Sequence, residues 1–137
     1  MTKAALYARV SGDDRNNATS SIAAQLKDGR AYAKERGYEV VGEFAEDADR
    51  HTSGADMLPE LEKLLRLAAQ NFFDVLIVNS AEIGLEIIKK QPKNLQAIVL
   101  MKEAISIDTE NILTLGYQNM YSDTNIIILK NSGNSAK

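Results

Sequence analysis

Residues 4–25, AALYARVSGDDRNNATSSIAAQ, constrain the fold more than any other stretch of the chain. Ala4, Ala5, Leu6 and Tyr7 open an apolar run that Val10 closes, the pattern of a buried strand. Ser11-Gly12 then supplies a turn, and a polar loop leads into helical spacing near Ser20. A hydroxyl at the carboxyl end of the first strand of an open α/β sheet stands where such sheets bind ligands. Arg9, two residues before Ser11, falls on the same side of an extended strand. Gln25 lies on the returning helix, so a nucleophile, a cation and an amide donor are expected to converge. A serine attacking a phosphodiester develops charge on pentacoordinate phosphorus, which planar guanidinium groups stabilise by paired hydrogen bonds. The plain alternative makes Ser11 a turn residue and Arg9 a surface cation.

The alternation continues downstream. Ile22, Leu26, Tyr32 and Ala33 recur at helical spacing behind an N-cap at Ser20 or Ser21, and Gly37 ends that helix. EVVGEF at 39–44 reads as a second strand, followed by an acidic loop from Glu46 through Asp47, Asp49, Arg50 and His51 to Ser53-Gly54. A charge run of this kind is read as a solvated loop. Pro59 suits a first helical turn, and Leu61, Leu64, Leu65 and Ala68 form the buried stripe behind it. Phe73 and the uninterrupted run at 75–78 give a third strand, of the type covered on both faces. Strand, helix, strand, helix, strand at this spacing is a doubly wound parallel sheet.

Composition shifts near Asn79. All six arginines lie at or before Arg66. Isoleucine rises from two residues in 1–78 to ten in 79–137, while alanine falls from thirteen to four, so the second part looks different in history. Within it, 82–90 reads as a helix stopped by Pro92, AIVLM at 97–101 as a fourth strand and IIIL at 126–129 as a fifth. Residues 109–121 are expected as a helix capped by Asp108, and the tail from 131 as disordered. The competing reading makes 94–107 one helix, with Ala97, Met101 and Ala104 on one side, weakly similar to part of a tetratricopeptide repeat. The short β-rich run favours the strand.

YARVS at 7–11 and SIAAQ at 21–25 resemble the N-terminal catalytic domain of the serine recombinases: resolvases, invertases and large integrases. The similarity continues through GYEVVGEF, Ser53-Gly54, LPELEKLLRLA and FDVLIV, ending at Val78. It implies a resolvase-like three-layer α/β fold, a mostly parallel sheet of four or five strands with helices on both faces. It implies DNA recombination or integration, as in transposons and phages, through a covalent phosphoserine–DNA link. Ser11 would be the nucleophile, Arg9 a phosphate ligand, Gln25 a positioning group and Glu82 the acidic residue after the third strand. The chain departs from the family where arginines are expected, with Leu58 before Pro59, and Ile83 and Glu86 after Glu82. Strand cleavage is therefore expected to be crippled.

At 137 residues one domain, 1–130, is expected. Cysteine is absent and His51 is the single histidine, which excludes disulfides, thiolate metal sites and a Ser-His-Asp triad. ARVSGDD lacks the glycine spacing of a nucleotide loop, and no cofactor or metal is implied. A formal net charge of −3 argues against autonomous DNA binding, so DNA is expected to be gripped by a separate domain. The long dimerisation helix of the family is not visible, so any homo-oligomer is expected to be weak. No membrane segment or signal peptide is seen, and a cytoplasmic location is expected. Two other classes compete: a non-catalytic α/β domain, degenerate, chimeric or engineered, and a receiver-like signalling domain. The latter would use Asp13-Asp14 and Lys130, but has Asn79 where an aspartate is needed.

Overall fold

The computed structural model describes residues 1–10, 21–47, 58–101, 117–120 and 123–129. Strand β1 (Lys3–Val10) runs parallel to β2 (Glu39–Asp47) on one side and to β3 (Val75–Val78) on the other. Next to β3 lies β4 (Ala97–Leu100), also parallel. Two antiparallel strands complete the sheet, β6 (Asp123–Leu129) against β4 and β5 (Tyr117–Met120) at the edge. The order β2-β1-β3-β4-β6-β5 makes β1 an interior strand from which successive connections leave in opposite directions. A ligand crevice belongs at such a reversal, outside the carboxyl ends of the strands, and Val10 ends β1 there.

Among the described residues three helices cover two faces. On one face, α1 (Ile22–Arg36) contributes Ala33, Leu26 and Tyr32 to a core with Ala4, Leu6, Val75, Ile77 and Val99. On the other, α2 (Pro59–Ala69) and α3 (Ala81–Lys89) bury Leu61, Leu64, Ile87 and Ile88 against Tyr7, Leu76, Val78 and Leu100. Alternate residues of each strand go to opposite clusters, as the pleat requires. This is the three-layer, mostly parallel architecture expected from the sequence.

Local chemistry sets the helix ends. Ser21 Oγ accepts from the Ala24 N–H at 3.2 Å, and Gly37 closes α1 with φ 77°, a left-handed value that suits glycine. The fully buried face of α1 is Gln25, Gly29 and Ala33, one small or polar residue per turn. Leu26 and Tyr32 pack beside it only partly buried. Ser80 caps α3 through the Ile83 N–H at 3.4 Å.

The structure differs from the sequence expectations in two places. Among the described residues the sheet has six strands rather than four or five, because 117–120 forms β5 instead of part of a helix. Its ladder comes from β6, whose backbone offers an open edge that local propensity does not reveal. Glu46 and Asp47, read as loop, extend β2 and pair in register with Arg9 and Val10. The readings on Ser11 to Ser20, 48–57, 102–116 and the tail fall outside the described residues.

Candidate active site

Arg9 is the second-last residue of β1, and its side chain lies on the α2–α3 face above Tyr7. Its guanidinium carbon stands 5.3 Å from the Tyr7 ring centroid, and Nε donates to the Tyr7 hydroxyl at 3.1 Å. The two terminal nitrogens donate to both oxygens of Glu86, Nη1 to Oε1 at 2.8 Å and Nη2 to Oε2 at 3.1 Å. This is the fork-on-carboxylate geometry with which arginine also holds a phosphate. The Arg9 side chain is 14% exposed and that of Glu86 40%, so the pair sits at the mouth of the site. Partial burial works against the Arg9 charge. The Glu86 hydrogen bonds and the Tyr7 contacts outweigh it and hold the guanidinium above its ordinary value.

The Tyr7 hydroxyl in turn donates to Glu46 Oε1 at 2.8 Å. Glu46 is 1% exposed, and its carboxylate also accepts the Glu60 N–H at 2.9 Å and the Leu61 N–H at 3.0 Å. Leu58, at the N-cap of α2, has no side chain able to make these bonds. A carboxylate from the end of β2 therefore caps α2 and closes a relay from Glu86 through Arg9 and Tyr7 to the helix. Burial comes first in raising the Tyr7 pKa, the Arg9 charge opposes it, and the bond to Glu46 adds to it.

Gln25 reaches Arg9 from the opposite face of the sheet. Its Oε1 accepts the Arg9 backbone N–H at 3.0 Å, and its Nε2 donates to the Arg9 carbonyl at 2.9 Å. The amide thus fixes the backbone at the end of β1. Gln25 and Arg9 are thus brought together through the main chain of Arg9. Glu82 is exposed in the first turn of α3, one turn before Glu86. Ser11 follows the last residue of β1 and lies outside the described residues.

Tyr7 and Glu46 were missed as functional residues by sequence reasoning. One signal was present: a helix opening Leu-Pro offers no side-chain cap, and Glu46 shares the inward parity of Phe44 on its strand. Asn79, just past β3, carries a buried Oδ1 without a hydrogen-bond partner. Among the described residues no cluster of His, Cys, Asp or Glu is arranged to hold a metal, and no helix is long and apolar enough to cross a membrane.

The family model described as "Resolvase, N terminal domain" matches residues 4–83, more than half of the chain. The chain belongs to the resolvase family. No curated protein matches it. Among solved structures, the N-terminal catalytic domain of TP901-1 integrase aligns with a TM-score of 0.58 at 18% identity, covering 84% of this chain and 90% of that one. A resolvase family site-specific recombinase from Streptococcus pneumoniae gives 0.55 at 19% identity, with 85% and 84% covered. The C-terminal catalytic domain of ISC1926 TnpA, an IS607-like serine recombinase, gives 0.54 at 22% identity, with 82% and 76% covered. At these identities the likeness concerns the fold, and it covers more of the chain than the residues matched to the resolvase domain.

Proposed function

We propose that the chain is a serine-recombinase catalytic domain whose strand cleavage through Ser11 is suppressed. The observation that carries this reading is the Glu86 carboxylate seated on both terminal nitrogens of Arg9. An incoming phosphodiester would have to displace it, and Glu86 would then face the phosphate as a like charge. Leu58 and Ile83 add no compensating cation. Loss of one preorganised charge-stabilising donor commonly costs about 3 kcal/mol of transition-state stabilisation. Several such losses, discounted for non-additivity, leave little reaction. Ser11 remains the nucleophile in this reading, Arg9 the phosphate ligand, Gln25 the residue that positions Arg9, and Glu82 an exposed carboxylate beside the site. DNA is held mainly by a separate domain, because a chain of net charge −3 captures phosphates poorly, and self-association is weak.

Incubation with supercoiled DNA at low salt, followed by denaturing gels for protein-linked strands, tests the proposal. The parent chain and Ser11→Ala are expected to give no adduct. The triple variant Leu58→Arg/Ile83→Arg/Glu86→Arg is expected to give one that requires Ser11. A Ser11-dependent adduct from the parent would refute suppression. Its absence from the triple variant would count against the recombinase site itself.

A further inference from the structure

At the amino-terminal end of the sheet, away from Val10 at the end of β1, α2 and α3 finish side by side. Asn94 Nδ2 donates to the Ala69 carbonyl at 2.7 Å and ties the loop after α3 to the end of α2. Between the helix ends lies a groove of about 290 Å³. Leu65, Ala69 and Pro92 give it an apolar lining, while Arg66, Lys90 and Lys93 give it three cations, and among the described residues no carboxylate lines it. All three cations are exposed, and among the described residues none makes an ion pair. This is a concentration of positive charge on a chain whose formal net charge is −3. Helix carboxyl ends attract cations on their own account. They do not account for the apolar lining, nor for Phe72, which stands 45% exposed three residues beyond Ala69. Met1 is also exposed.

We propose that this groove docks an acidic peptide segment of a partner protein, anchored by a leucine or phenylalanine side chain. Charge complementarity selects the acidic partner, and the apolar lining selects a peptide over nucleic acid, since a duplex presents phosphates with no side chain to fill the groove. An arginine beside an apolar centre is in keeping with the composition of protein-binding surfaces. The groove is remote from Arg9 and does not depend on the fate of strand cleavage.

The test titrates the full chain into three fluorescein-labelled probes and follows anisotropy. One is a short peptide alternating glutamate with leucine and phenylalanine; the second replaces each glutamate with lysine; the third is a DNA duplex. The glutamate peptide is expected to bind, more weakly as salt rises, and the lysine peptide not to bind. Lys90→Glu/Lys93→Glu, and separately Arg66→Glu, are expected to lower affinity on the order of tenfold while leaving the circular dichroism of the fold unchanged. Equal binding of both peptides, no binding of the acidic one, or indifference to the charge reversals overturns the proposal. Duplex binding that needs Lys90 and Lys93, without peptide binding, assigns the surface to nucleic acid and overturns it as well.

Discussion

Glu46 shows how much one buried carboxylate organises. Its oxygens accept from the buried Tyr7 hydroxyl and from two backbone N–H groups at the start of α2. Glu46→Leu would strand three donors, at a cost of about 3–5 kcal/mol readable as a drop in denaturant midpoint. Glu46→Gln is expected to recover only part of this, because its amide nitrogen meets donors on one side. Tyr7 gives the complementary pH prediction. Burial, with the Glu46 bond adding and the Arg9 charge opposing, raises its pKa above the ordinary value of about 10. A raised folded value means that Tyr7 stabilises the fold fully below pH ~10 and loses that contribution as pH climbs toward the folded value. Alkaline titration of phenolate absorbance should therefore show one late step that coincides with unfolding and is absent in Tyr7→Phe. A full phenolate signal in the ordinary range, with the fold intact, would contradict the buried relay.

The elements were legible where their chemistry is local. Apolar runs at 4–10, 75–78 and 97–100 became β1, β3 and β4, and Ser21, Gly37 and Pro59 mark helix ends as expected. What could not be read depends on neighbours. Residues 117–120 become a strand only because β6 presents an edge, and Glu46 is inward only because β2 runs two residues past its apolar part. The same dependence separates two helical glycines. A Cβ on Gly29 of α1 would meet the ends of Leu6 at 3.1 and 3.3 Å, contacts that a small shift relieves. A Cβ on Gly84 of α3 would collide with Leu100, which is fully buried and has nowhere to go. Alanine gains about 0.5–1 kcal/mol of helix propensity at either site, while overpacking a core costs about 1–3 kcal/mol. Gly29→Ala should stay within about 1 kcal/mol of the parent, and Gly84→Ala should lose about 1–2 kcal/mol by denaturant unfolding. Leu100→Val in the Gly84→Ala background should restore part of the loss; equal effects at the two glycines would show that α3 does not sit so close to β4.

At the scale of the whole molecule, the change in composition near Asn79 does not fall on a boundary of the fold. β3 ends one residue before it, and β4 lies beyond it, yet the two pair residue for residue from Val75 with Ala97 to Val78 with Leu100. Ile87, Ile88, Ile98 and Leu100 from the later part share a core with Leu61, Leu64 and Leu76 from the earlier one. The candidate site spans the same seam, since Arg9 stands before it and Glu86 after it. The positions of Arg9 and Gln25 at the end of β1 followed from the first strand and helix. The closing of Glu86 onto Arg9 did not, because it depends on how α3 lies across the sheet. If the two parts form one folding unit, the chain should unfold in a single transition by circular dichroism and by tyrosine fluorescence. A chain ending at Val78 would lose α3 and β4, and with them Ile87, Ile88, Leu95, Ile98 and Leu100 from the core that holds Leu64, Leu76 and Val78. Removing several large core side chains at about 2–5 kcal/mol each exceeds the 5–15 kcal/mol that a domain has in hand. The 1–78 fragment is therefore expected to lack the native circular dichroism spectrum and a cooperative unfolding curve. A folded, cooperative 1–78 fragment, or two separate transitions in the full chain, would show that the seam divides the structure as well as the composition.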